Sequence, residues 1–325
     1  MTELHPRDLS LLEARALVQR AIDKAEQLGL RGGIAVVGAS GLLVTASRMD
    51  HGGPGGMARA RSKAWISATQ QIPSTEHLHR MTTIAPPVAA GFAQASPEAV
   101  FPGAGGMPIR TEGVVVAGIA ASGATVSPFL PADVAPEAVS ADGEPANPED
   151  LLIAYALDLP YVGQHGDDAA RWELRFGDLK VRPENSLGMA QAPTATGQHE
   201  LVWAKQLTDL VMAEAARRGV RVSVAVVDRG GDPIQLDRMD DASGGGLAVA
   251  QAVATTAVLF DGPSDESAQR FGGADTLARI LVPTVLGVAG GVPVHDSGRV
   301  VAGLGVGGAD PDLCAQIAVV ALASA

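Results

Sequence analysis

Few residues of this chain combine a reactive side chain with a suggestive neighbourhood. His51 directly follows Arg48-Met49-Asp50 and precedes a glycine loop, and His295 lies just beyond Gly290-Gly291-Val292-Pro293. An imidazole titrates near neutrality, so either could act as an acid/base group. Adjacent residues on a strand point to opposite faces, so Asp50 and Asp296 need not assist them. His77-Leu78-His79, read as an extended segment, puts two rings on one face and could bind a divalent metal, with Glu76 as a third donor; a metal site wants three or four ligands with support behind them. Lys63, within Ser62-Lys63-Ala64, could pair with an anionic group or stand solvated at a helix edge. The paired glycines Gly105-Gly106 and Gly290-Gly291 permit positive φ, so backbone N–H groups there could grip a carboxylate. A tight hairpin would require the same glycines for geometry alone. Cys314 lies in an apolar helical pattern and reads as a small buried hydrophobe rather than a nucleophile.

Several reaction classes leave no trace. There is no Gly-x-Ser-x-Gly elbow, no Cys-x-x-Cys and no Walker-type loop. Gly103-Ala104-Gly105-Gly106 does not sit between a parallel strand and a helix, so it is not read as a dinucleotide site. Acidic residues outnumber basic ones 36 to 24, a formal charge of −12, which speaks against a nucleic-acid partner. The start, Met1 to Ser10, has no charged stretch leading into an apolar run, and no apolar segment reaches the roughly 18 residues of a membrane span. A cytoplasmic protein with no membrane partner is expected.

The elements that must position these residues come twice. Arg48-Met49-Asp50 is echoed by Arg238-Met239-Asp240, an offset of 238 − 48 = 190 that also relates Gly29 to Gly219, Gly41 to Gly231, Gly56 to Gly246 and Pro73-Ser74 to Pro263-Ser264. Further on, Gly105-Gly106-Met107-Pro108-Ile109 matches Gly290-Gly291-Val292-Pro293-Val294 at 290 − 105 = 185, as Gly118 matches Gly303. Each copy opens with an amphipathic helix; in the first, Ala14, Leu17, Val18, Ala21, Ile22, Ala25 and Leu28 fall at steps of three and four, with capping-box spacing from Ser10 to Glu13. A β-hairpin follows, through Ile34–Val37 or Val222–Val227 and a glycine turn. A second helix spans roughly Met57–Gln70 or Leu247–Phe260, then comes a hairpin ending in Val114–Ala120 or Val300–Val306, then a last helix, Pro148–Leu157 or Pro311–Leu322. The expected organisation is one module over 1–162, with an insertion near 125–146 that reads as a surface loop or lid. A crossover over 163–198 follows, in which Trp172–Phe176 could add a strand, and a second module over 199–325.

Val-Ala-Val-Val-Asp-Arg-Gly-Gly at 224–231, Arg238-Met239-Asp240, Pro263-Ser264, Gly290-Gly291-Val292-Pro293 and Gly-Val-Gly-Gly at 305–308 together resemble the GlcG/HbpS haem-binding or haem-degrading family. The likeness covers nearly all of the second copy, and the first over Leu9–Ala124 and its last helix. It implies an α/β (α+β) fold of tandem profilin-like sandwiches, each a mainly antiparallel five-stranded sheet with helices on both faces, and oligomeric assembly. It also implies a ligand such as haem. Haem iron takes an axial donor such as histidine, and its propionates take cations or backbone donors. Arg48, Arg238 and the paired glycines are candidates for the propionates. His199 begins a helix near where a histidine ligates haem in a relative linked to an adenosyltransferase. Family members usually carry lysine at the position of Lys63, where the second copy has Val253; the second copy instead keeps Asp228 where the first has Gly38. One composite or specialised site per chain is one reading of that divergence, neutral drift the other.

Binding of haem or a similar small anionic ligand is the first functional expectation. A catabolic enzyme acting on a small carboxylated or cyclic substrate, with His51 or His295 as acid/base and Lys63 as anion anchor, is the second. An oligomeric scaffold with degenerate sites is the third. An aromatic content of 3% gives a large planar ligand few walls to rest on.

Overall fold

The computed structural model describes residues 9–81, 86–96, 98–124, 138–139, 145–159, 180–181, 199–270 and 285–325. Two compact units divide the chain, Met1–Gly197 and Gln198–Ala325. Unit 1 contains α1 (Leu11–Gln27), β1 (Gly33–Gly38), β2 (Leu43–Arg48), α2 (Gly55–Gln70), α3 (Ser74–His79), α4 (Pro86–Ala95), β3 (Gly106–Thr111), β4 (Val114–Ser122) and α5 (Pro148–Ala156), with the two-residue strands β5 (Ala138–Val139), β6 (Pro145–Ala146) and β7 (Lys180–Val181). Unit 2 contains α6 (His199–Arg217), β8 (Ser223–Asp228), β9 (Pro233–Arg238), α7 (Gly246–Phe260), α8 (Ser264–Arg270), β10 (Gly291–Asp296), β11 (Arg299–Gly307) and α9 (Pro311–Ala323). The expected strand at Trp172–Phe176 and most of the 125–146 insertion lie outside the described residues.

Each unit is built on an antiparallel sheet, β3-β4-β1-β2 in one and β10-β11-β8-β9 in the other. Four described strands per main sheet replace the expected five. The two sheets share their irregularities. The first hairpins bulge at Val36/Val37 and Val226/Val227, the second at Ile109/Arg110 and Val294/His295. A bulge disrupts one ladder step and re-aims the residue after it, so its recurrence at matched positions marks common geometry.

Helices cover both faces. All six residues of β1 are buried, which requires a layer on either side because successive side chains alternate. A Cβ on Gly33 would meet Met57 of α2, while Ile34 shares a cleft with Ala25 of α1 and Leu152 of α5. So α2 lies on one face, with α1 and α5 on the other. The α2 layer sits unusually close. A Cβ added at Gly118 would fall 2.3 Å from Ala64 O, and one at Gly303 2.4 Å from Ala254 O. Gly303→Ala should therefore cost about 1–3 kcal/mol through overpacking, read as a lowered urea midpoint with an unchanged slope.

The helix ends follow local chemistry. Ser10 and Glu13 close the capping box that their spacing suggests, and Asn147 and Asp310 accept from the first-turn N–H groups of α5 and α9, each ahead of a proline. Among the described residues no helix is long and apolar enough to cross a membrane.

Candidate functional site

The polar interior of unit 1 centres on Lys63. Its ammonium lies 2.5 Å from Glu149 Oε2, with side-chain exposures of 4% and 6%, and donates to Ser122 Oγ at 3.2 Å and Ala121 O at 3.5 Å. The other Glu149 oxygen accepts from Gly123 N–H at 2.7 Å and Ala124 N–H at 3.2 Å. Asp150, fully buried, accepts from Gly105 N–H through Oδ1 at 2.5 Å, while its Oδ2 has no hydrogen-bond partner. Burial raises the Asp150 carboxyl to about 7; the Gly105 N–H and Lys63 lower it, and Glu149 adds to the rise. The glycine N–H that sequence spacing offered to a ligand carboxylate thus holds one from the chain itself. Because Lys63 belongs to α2 and Glu149 to α5, the pair ties the two helical layers together past the strand ends.

One helical turn before Lys63, Arg59 also reaches Ser122, its Nε donating to Oγ at 3.4 Å. A narrow crevice beside Ser122, with no room for a water molecule, is lined by Arg31, Gly32, Met49, Ala124 and Leu152 among others. Phe101, 40% exposed, stands with its ring centroid 5.8 Å from Lys63 Nζ. His51 lies close by in the chain: the next residue, Gly52, packs on Gly32, so that a Cβ there would lie 3.1 Å from Gly32 O.

In unit 2 the corresponding corner is apolar. Gly290, the counterpart of Gly105, faces Val253 Cγ2 and Cys314 Cβ, each 3.6 Å from an ideal Cβ. Ala309 N–H donates to the Cys314 thiol as Ala124 N–H donates to Glu149. An ion pair has been exchanged for valine and cysteine. Arg59, Lys63 and Ser67 of α2 become Val249, Val253 and Ala257 of α7.

A family model described as "Haem degrading protein HbpS-like" matches residues 9–128 and 200–323. The chain belongs to the HbpS-like family. A double mutant of HbpS from Streptomyces reticuli is 36% identical, covering 42% of this chain and 98% of its own, with a TM-score of 0.36. The complex of PduOC with haem is 29% identical over 41% of this chain and 96% of its own, TM-score 0.36. ORFY of Klebsiella pneumoniae is 26% identical over 38% and 90%, TM-score 0.35. No curated protein sequence matches the chain.

The first HbpS-like segment stops before α5, yet α5 occupies in unit 1 the place of α9 in the second. Its residues Glu149, Leu152, Ile153 and Ala156 are buried as Cys314, Ile317, Ala318 and Ala321 are, an offset of 314 − 149 = 165. Aligning the two Pro-acid beginnings at Pro148 and Pro311 gives 163, so the sequence match is two residues out of register.

The other residues singled out by spacing are scattered through the two HbpS-like units. His295 is half-exposed and bonds Asp261 Oδ1 at 2.8 Å. Arg110, its counterpart, bonds Gln71 O at 2.9 Å. Both clasp an edge strand to the end of α7 or α2, which gives His295 a structural duty distant from Gly290-Gly291. His51 is exposed with φ 62°, and its counterpart Asp241 has φ 63°, so the turn tolerates either residue. Asp228 accepts from Gly230 and Asp232 N–H within its own hairpin turn. Arg48 and Arg238 are buried, Arg238 reaching Ala242 O at 3.5 Å. His199 is exposed at the start of α6.

Gly291 N–H donates to Ser264 Oγ, and Ser74 Oγ bonds Gly103 O, so the Pro-Ser pairs pin the glycine hairpins; Gly106 packs on Ser74 and Ser67. His77 and His79 fall on α3, where residues two apart point away from each other, rather than on an extended segment. His77 is buried against the Phe92 ring at 4.7 Å, its pKa lowered by burial and by Arg80. Among the described residues no group of three or more His, Cys, Asp and Glu could hold a metal ion.

Proposed function

We propose that this protein binds haem, or a similarly carboxylated small ligand, through unit 1, with one ligand per chain. Membership of the HbpS-like family supports the ligand class. What carries the assignment to unit 1 is the seam at its strand ends, where Arg59, one turn of α2 before the Glu149-paired Lys63, reaches Ser122 beside the Gly123 turn. Unit 2 has valines at both positions.

The residues present fit part of such a group. Arg31 and an apolar wall line the crevice, Arg59 bonds Ser122 beside it, His51 is an exposed imidazole two residues after the lining residue Met49, and Phe101 presents part of its ring. Haem, when bound, would supply its iron chemistry; the chain's part is to hold the carboxylates and offer a nitrogen donor. The crevice is too narrow to admit even a water-sized body, so the ligand would lie against the Ser122–Gly123 turn outside it. The guanidinium groups there would serve a small free carboxylate equally, which is a second reading. Lys63 does not serve as an exposed anchor in either case, because Glu149 already neutralises it.

Titrating the full chain with haemin should give a Soret shift that saturates at one equivalent. No shift at micromolar haemin would remove the haem reading, and saturation at two equivalents would remove the restriction to unit 1.

A further inference from the structure

We infer that Arg31 and Arg59 form a carboxylate-binding site around Ser122–Gly123 in unit 1, the point at which an anionic arm of the ligand is held. The inference relies on the function proposed above only for the identity of that ligand.

Three observations support the site. First, among the described residues both guanidinium groups have only neutral partners. Arg31 donates from Nη1 to Leu30 O at 2.7 Å, and Arg59 from Nε to Ser122 Oγ at 3.4 Å. Among the described residues neither has an acidic partner, whereas Lys63, Arg61, Arg80, Arg217 and Arg218 all do. Second, Arg31 Nε is buried and lacks any acceptor, a costly state for a charged donor unless something fills it. Third, both reach the Ser122–Gly123 turn. A methyl built on Gly123 would lie 3.6 Å from Arg59 Nη2, and Arg31 shares a narrow crevice with Ser122 and Ala124.

The chemistry of the walls selects the ligand. Planar guanidinium groups present paired donors that match a carboxylate. Ala25, Met49 and Leu152 fill the crevice beside Arg31, an apolar neighbourhood that suits an organic carboxylate better than a free inorganic anion. Two propionates on a macrocycle or a small dicarboxylate share this chemistry. Unit 2 cannot reproduce it, since Arg59 becomes Val249 and Arg221, the counterpart of Arg31, is exposed.

The test uses the full chain with Arg31→Gln, Arg59→Gln, the double variant and Arg59→Lys, each first checked for an unchanged unfolding midpoint. Two probes are titrated, haemin by its Soret band and succinate by calorimetry. The double variant should lose about tenfold or more in affinity for whichever probe the wild type binds. Arg59→Lys, which keeps the charge without the fork, should fall between. Wild-type haemin binding that survives the double substitution within twofold overturns the arginine site and leaves the haem reading standing. Succinate binding that depends on the arginines, without any haemin binding, keeps the site and discards haem. Binding of neither probe by the wild type overturns the site. If the double variant does not fold, the same comparison on Arg59→Gln and Arg59→Lys decides, with unchanged affinity in both counting against the site.

Discussion

Lys63→Val alone, or Glu149→Cys alone, should destabilise the protein by about 3–5 kcal/mol, and the two changes together should restore most of that loss. A buried charge stripped of its partner is left without solvation or compensation, whereas replacing both members of a buried pair with apolar groups is often neutral or better. The protein already contains the double replacement. At the matching corner of unit 2, Val253 and Cys314 pack against Gly290, and the Cys314 thiol takes over the Ala309 N–H. The Lys63→Val/Glu149→Cys protein would rebuild that arrangement in unit 1, apart from Asp150, whose counterpart is Ala315. A double-mutant cycle by urea denaturation measures it. A coupling energy near zero would show that Lys63 and Glu149 are not energetically a pair.

Asp150 should give unit 1 a pH dependence of opposite sign to the usual acid response. Its carboxyl is raised from 3.8 to about 7 by burial, so between those values the folded state keeps a proton that the unfolded state has released. Stability from this group is fully present below the unfolded value and is lost as pH rises through the folded one. Between pH 5 and pH 8 the loss amounts to roughly 2–3 kcal/mol at about 1.4 kcal/mol per pH unit. Asp150→Asn keeps an oxygen for the Gly105 N–H and removes the titration, so its stability relative to wild type should climb by that amount across the same interval. Parallel stability curves for the two proteins would refute the assignment.

Much of this architecture can be read in the sequence because it is local and written twice. The hairpins and the second helices follow from β-branched runs, glycine turns and the 190 and 185 offsets. The register of the last helix is a different matter. Asn147-Pro148 and Asp310-Pro311 mark where each helix starts, but burial against the glycine hairpin decides how it docks, and the two answers differ by two residues. The partner of Lys63 was illegible for a related reason: Glu149 lies 86 residues away on an element displaced by an insertion. His77 and His79 lie on a helix and not on an extended segment because Pro73-Ser74, besides marking the repeat, starts α3. Arg59 does carry a signal in the sequence. Comparing α2 with α7 position by position shows Arg59, Lys63 and Ser67 turning into Val249, Val253 and Ala257, a coherent loss of polarity along one helix face that the single comparison at Lys63 reveals only in part.

The replacement of Glu149 by Cys314 has a practical corollary. Cys314 is the chain's only cysteine, it is buried, and its thiol is held above the ordinary range chiefly by that burial. A thiol-selective reagent can therefore modify the native protein only when α9 lifts from its sheet. Nature has placed a single chemical stopwatch in one half of a duplicated molecule, so the opening rate of unit 2 can be timed without engineering and without interference from unit 1.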